Sequence, residues 1–173
     1  MEKERWDAYT RDGVLTDAVL YRGDPCPEGL YHKTCSVLIR HADGDYLLMK
    51  RDPRKACYPG WYEATAGGAV KAGEDVPEAI RRELFEETGI GDCRSFELIN
   101  TLIANDDRTL YYNYFAVTNC AKDAIVLQEG ETVGYRWLNE AEFIDFVNSP
   151  DYIPGQKKEY LPFLERMGYL RAE

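Results

Sequence analysis

The stretch that decides the fold is Gly68-Ala69-Val70-Lys71-Ala72-Gly73-Glu74-Asp75-Val76-Pro77-Glu78-Ala79-Ile80-Arg81-Arg82-Glu83-Leu84-Phe85-Glu86-Glu87-Thr88-Gly89-Ile90. Its middle reads as a helix. Asp75 is a capping residue, Pro77 suits a first turn whose N–H groups have no partner within the helix, and Gly89 is a common stop. Val76, Ile80 and Leu84 recur at helical spacing and form an inward stripe. Glu83, Glu86 and Glu87 stand at i, i+3 and i+4, so three carboxylates share one stripe a single turn deep. Like charges at that spacing repel by about 0.2–0.5 kcal/mol per exposed pair, so this face needs a counter-charge or full solvation. Hard oxygen ligands at helical spacing suit Mg²⁺ or Mn²⁺. Taken alone, the triplet reads more simply as a solvated acidic helix face.

The flanking residues overturn that simpler account. The run Gly68-x5-Glu74-x7-Arg82-Glu83-Leu84-x-Glu86-Glu87-x-Gly89-Ile90 matches each fixed position of the Nudix box, and here the chain resembles the Nudix hydrolase superfamily. The resemblance extends over about residues 31–147. Tyr58 to Glu63, followed by Gly67-Gly68, is similar to the family's strand into the box. Glu131 to Trp137 is similar to a later strand that carries a further glutamate near the metal. The resemblance implies an α/β fold, an α/β/α sandwich in which the box is loop, helix, loop. It implies attack of water on phosphorus in a nucleoside diphosphate linked to a group X, or in a related small diphosphate, with Mg²⁺ (or Mn²⁺) as cofactor. It implies metal ligands at Glu83, Glu87, Glu86 and the Gly67 carbonyl. Glu86 is also a catalytic candidate, Arg82 and Glu74 are expected to fix carboxylate rotamers, and Gly68 and Gly89 are structural positions of the motif. The general base is expected within the box or at Glu131, with Glu129 its neighbour.

A neighbouring branch, the isopentenyl-diphosphate isomerases, shares more. Gly23-Asp24-Pro25, Leu30-Tyr31-His32 and the spacing of Arg51 and Lys55 look similar to those isomerases and to hydrolases resembling them. In that branch the two cations grip diphosphate, and an anionic substrate entering an acidic protein needs cations beyond the metal. Isomerisation moves protons on carbon and uses a cysteine just before the box glycine. Gly67 stands there in this chain, which turns the expectation toward hydrolysis. A non-catalytic ligand-binding or sensor domain is a further alternative, and the unbroken box speaks against it.

Outward from the box, Thr34 to His41 is rich in β-branched and aliphatic residues and reads as a strand. Ala42-Asp43-Gly44-Asp45 turns it into a second strand over Tyr46 to Arg51. A loop is expected from Asp52 to Trp61, and a glycine-bearing loop from Thr65 to Gly73. Phe96 to Ala104 and Leu110 to Val117 form a second hairpin turned at Asn105 to Arg108. Ala124 to Leu127 and Val133 to Leu138 are shorter strand candidates. Asn139 caps a helix over Glu140 to Val147, and a last helix runs from about Gly155 to Met167, kinked or restarted at Pro162. Residues 1–30, with turns at Arg11-Asp12-Gly13 and Gly23 to Gly29, read as a short β extension packed on the same domain, and 31–173 as the catalytic domain.

Composition narrows the partners. With 173 residues the chain can bury a sizeable core. A net charge of -10 disfavours nucleic acid and anionic membrane surfaces, yet it permits a small anion where a divalent metal reverses the local sign. The five cysteines lack any CxxC pair, so disulfides and thiolate zinc are not expected and a cytoplasmic location is. His32 and His41 are too far apart in sequence to suggest a zinc pair. Tyr112 and Tyr114 share one face of a strand with Tyr111 on the other, and are read as sheet and core packing, with base or ring stacking in a pocket as the alternative. Tyr160, Phe163 and Leu164 at i, i+3, i+4 are read as core contacts or the seam of a homodimer.

Overall fold

Two strands with both faces apolar set the layers of the molecule. The computed structural model describes residues 3–171. In chain order it contains β1 (Arg5–Tyr9), β2 (Leu15–Tyr21), β3 (His32–His41), β4 (Tyr46–Arg51), β5 (Tyr62–Glu63), β6 (Thr65–Ala69) and α1 (Val76–Thr88). There follow β7 (Cys93–Ala104), β8 (Thr109–Thr118), β9 (Thr132–Leu138), α2 (Glu140–Val147), α3 (Pro154–Glu159) and α4 (Leu161–Met167). On β3, Cys35, Val37 and Ile39 join one apolar cluster and Leu38 the other. On β4, Leu47 and Met49 face the first, and Tyr46 and Leu48 the second. Strands buried on both faces need a layer over each. Val76, Ala79, Ile80 and Leu84 of α1 cover the first face. Phe143 and Phe146 of α2, with Tyr160, Phe163 and Leu164 at and after the end of α3, cover the second. The result is the expected α/β, α/β/α sandwich.

The main sheet is mixed and seven-stranded, in the order β5-β4-β3-β8-β7, with β6 also on β3 and β9 on β4. β3 runs parallel to β8 from His32↔Thr109 to His41↔Thr118 and antiparallel to β6 from Thr34↔Ala69 to Leu38↔Thr65. α1 begins with the expected caps: Asp75 and Glu78 form a reciprocal capping box, and Gly89 ends it at φ 74°.

Two expectations need correction. Thr65 to Ala69 is a strand, because Gly67 and Gly68 let its backbone close on β3: a Cβ on Gly67 would stand 2.2 Å from the Cys35 carbonyl oxygen. Ala124 to Leu127 is no strand. The Val126 N–H donates to the Thr88 carbonyl and its side chain lies over Gly89, so this segment seals the end of α1 instead of pairing in the sheet. The last helix restarts at Pro162, one of the two outcomes expected there: it breaks at Tyr160, and Pro162 lies in the first turn of α4. Tyr160, Phe163 and Leu164 are at most 1 % exposed, so these residues are spent inside the chain and a dimer would use other surfaces.

β1 and β2 pair with each other outside the main sheet. A Tyr9↔Tyr31 bridge and the small cluster Tyr9, Tyr31 and Leu110 hold them to it. Among the described residues no helix is long and apolar enough to cross a membrane.

Candidate active site

The second half of α1 departs from the apolar rule that governs its first. Glu87 is buried beside Thr88, and its Oε2 accepts a hydrogen bond from the Gly67 N–H at 3.1 Å. No ion pair reaches it among the described residues. Burial pushes its pKa well up, and the charges of Glu63 and Glu83 add to the effect. Glu83 is raised by burial too, against the pull of Arg82, and Glu63 by burial against Arg51. A cluster of crowded carboxylates is therefore the dominant electrostatic feature of this face.

Arg82 organises part of that cluster. Its guanidinium grips Glu74 with two hydrogen bonds of 2.8 and 2.9 Å. Nη1 reaches Glu83 at 2.7 Å and Glu86 at 3.2 Å, and Nη2 reaches the Ala69 carbonyl at 3.2 Å. These bonds hold Glu74 below the usual carboxylate range and raise Arg82 further. One cation thus fixes the rotamers of Glu74, Glu83 and Glu86 and leaves Glu87 uncompensated. Gly68 makes room for this arrangement, since a Cβ there would lie 2.5 Å from Glu83 Oε1.

The glycine strand separates two adjoining cavities. The larger, about 400 Å³, is lined by Glu83, Glu86, Glu87, Arg82, Glu131 and Lys55, with Lys71 and Gln128 at its side. The smaller, about 150 Å³, shares Lys55, Gly67, Gly68, Glu87 and Glu131 and adds Arg51, Glu63, Cys35, Ser36, Tyr111 and Glu159. Arg51 pairs with Glu63 at 2.8 Å across β4 and β5. Lys55 pairs with Glu131, and Asp52 sets up that contact: it accepts from the Arg54 N–H and guanidinium, turning Arg54 outward while Lys55 turns in. The two cations expected to hold substrate are therefore occupied by two carboxylates of the site.

Every candidate named from the sequence converges here except two. Glu129 is exposed and lines neither cavity, Gln128 taking the inward position, and Gly89 caps the helix away from it. Several residues escaped the sequence reading. Glu63 could have been found, because Glu63, Thr65 and Gly67 alternate along neighbouring strands. Glu159, from α3, carries a carboxyl raised to about 7 by burial and by Asp107 and Glu63. Cys35 brings a thiol to the smaller cavity, pushed up to about 12 by burial and Glu83. Trp6 of β1, with Glu4 just before that strand and Arg22 just after β2, reaches the larger cavity. No local signal marks these.

The donor set fits a hard divalent cation: carboxylate and carbonyl oxygens, with surplus negative charge that has no protein counter-ion at Glu87. Among the described residues no three acidic, His or Cys side chains are already drawn to one metal-holding point, because Glu83 is turned to Arg82.

Comparison with known proteins agrees with this chemistry. The NUDIX domain family matches residues 30–162. An uncharacterised Nudix hydrolase of Clostridium acetobutylicum is 30% identical over 160 residues, 86% of this chain and 76% of that protein. Another from Listeria monocytogenes is 26% identical over 87% of this chain and 89% of its own. Among solved structures, a Deinococcus radiodurans protein superposes with a TM-score of 0.66 at 20% identity, covering 83% of this chain and 88% of its own. The NUDIX domain of Shewanella oneidensis NrtR, solved with ADP ribose, gives 0.62 at 16%, covering 84% and 94%. At those identities the two structures speak for the fold.

Proposed function

The chain belongs to the Nudix family of hydrolases, which act on pyrophosphate bonds, and on that premise we propose that it is a Mg²⁺-dependent pyrophosphohydrolase of a small diphosphate-containing substrate, a nucleoside diphosphate linked to a group X or a relative of it. The observation that carries the metal reading is Glu87: a buried carboxylate facing Glu63, Glu83 and Glu131 with only the Gly67 N–H to satisfy it. A buried charge in that position is costly until a cation joins it.

Glu83, Glu87, the Gly67 carbonyl and Glu86 would hold the metal, with Mn²⁺ as substitute. When bound, it supplies charge neutralisation for the phosphate oxygens and a lowered pKa for the attacking water. Arg82 and Glu74 position these ligands. Arg51 and Lys55 bind the diphosphate. In the free protein Glu63 and Glu131 stand in for that anion, so substrate exchanges partners with them. Release of Glu131 from Lys55 then gives a free carboxylate at the junction of the two cavities, placed to take a proton from water. We read residues 1–30 as an extension of the single domain over 31–173, and the protein as cytoplasmic, in keeping with its free cysteines.

The branch resembling isopentenyl-diphosphate isomerase is kept for the Arg51 and Lys55 pair, not for its reaction. A thiol at position 67 would drive its Cβ into the backbone of Cys35 and Ser36, so the proton shuttle of that chemistry has no room. The test is a panel of diphosphate substrates with Mg²⁺, read by phosphate release and by which phosphorus takes up labelled water. Turnover that EDTA abolishes and Mg²⁺ restores is expected. A metal-loaded protein inert on the whole panel would overturn the hydrolase reading.

A further inference from the structure

The hairpin of β1 and β2 lies before the matched family domain, which begins at residue 30, yet it delivers an indole to the cavity of the box glutamates. Trp6 is held there from three directions. Its ring stacks on His32 with centroids 4.5 Å apart and planes at 18°. Its Nε1 donates to Glu4 at 2.7 Å. Its two chain neighbours are tied to the loop just ahead of α1: the Ala72 N–H donates to the Arg5 carbonyl at 2.9 Å, and the Gly73 N–H to Asp7 Oδ2 at 2.8 Å. The indole is nevertheless only half-buried, on the wall of a polar cavity.

A tryptophan recruited for packing gains most when both faces are covered. Here one face and the polar edge are fixed while the ring still borders open cavity. That is the arrangement of a stacking platform whose ordering cost is met before a ligand arrives. Arg22 lines the same cavity beside Glu4, giving the outer wall a cation as well as a π surface.

We propose that Trp6 is a specificity-determining residue: it stacks on a nucleobase at the outer end of the larger cavity while the diphosphate lies between the box carboxylates and Lys55. The inference rests on the hydrolase reading for the position of the diphosphate, but its test does not require turnover. Replacing Trp61 and Trp137 by Phe leaves Trp6 as the sole tryptophan. ADP and inorganic diphosphate are then titrated into the full chain with Ca²⁺ in place of Mg²⁺.

ADP is expected to quench the Trp6 fluorescence saturably, and inorganic diphosphate to bind without quenching. In the otherwise native chain, Trp6→Leu is expected to weaken ADP binding about tenfold and to leave diphosphate binding unchanged, while Trp6→Tyr keeps most of the ADP affinity. For any nucleotide substrate that is turned over, the same loss should fall on KM with kcat preserved. Absence of ADP binding, ADP binding without quenching, or equal weakening of both ligands by Trp6→Leu would overturn the proposal, the last marking Trp6 as structural. ADP binding with quenching but no hydrolysis of any substrate would support this site and remove the hydrolase reading alone.

Discussion

The two faces of the β3–β4 pair are built on the same alternation and end in opposite electrostatic states. Under α2 to α4, polar atoms are mostly matched. Tyr46 stacks on Phe143 at 3.9 Å and shares a 3.0 Å hydrogen bond with the Tyr169 hydroxyl. Tyr160 bonds Ser36 at 2.9 Å and the Tyr114 carbonyl at 3.1 Å. Under α1, the apolar stripe gives way halfway along to Glu83 and Glu87, and Glu87 is left without a counter-ion among the described residues. One face therefore carries stability, and the other can hold groups in positions that favour a ligand over the empty protein.

The sharpest test of that division is Glu87→Gln. Turnover is expected to fall about a thousandfold, as fits the loss of a direct metal ligand. The metal-free protein should melt at a higher temperature than the parent, because a carboxyl that is costly to ionise in its buried place has been replaced by a neutral group. Unchanged turnover would show the ligand to be elsewhere. On the other face, Phe143→Ala should cost about 3–5 kcal/mol in denaturant unfolding, with kcat per folded molecule preserved.

The two adjacent glycines break the comparison more finely. Gly67→Ala meets backbone and should lose about 1–3 kcal/mol of stability along with activity. Gly68→Ala meets only the flexible end of Glu83, so stability should stay within about 0.5 kcal/mol while turnover drops. A stable, active Gly67→Ala chain would mean that β6 does not press on β3 as described.

The smallest effect concerns Glu159. Its folded pKa, about 7, is raised, so the folded chain holds this proton more tightly than the unfolded one. Stability should fall as pH rises from the ordinary glutamate range through 7. Glu63, Glu83 and Glu87 act in the same direction, so Glu159→Gln should flatten the slope without removing it. An unaltered slope in urea titrations at several pH values would remove Glu159 from the account.

Much of α1 was legible in advance. Asp75, Pro77, the stripe from Val76 to Leu84, the glutamate triplet and Gly89 all act within one helix, where side-chain placement follows from local geometry. The strand at Thr65 to Ala69 was not, because two glycines carry no β signal and their pairing is decided by the proximity of β3. Arg51 and Lys55 were read as substrate cations, and the carboxylates that hold them in the free protein, Glu63 and Glu131, belong to β5 and the turn before β9.

The sequence alone determined the family, the sandwich and the stripe of acidic residues, since periodicity and fixed spacing are properties of a single segment. The tertiary structure decided which other groups meet that stripe. Cys35, Glu159 and Trp6 reach it only through the pairing of β3 with β6, the docking of α3 and the clamp of β1 on the loop before α1. Such contacts join residues separated by long loops, and their formation depends on the packing of whole layers. No local pattern records that.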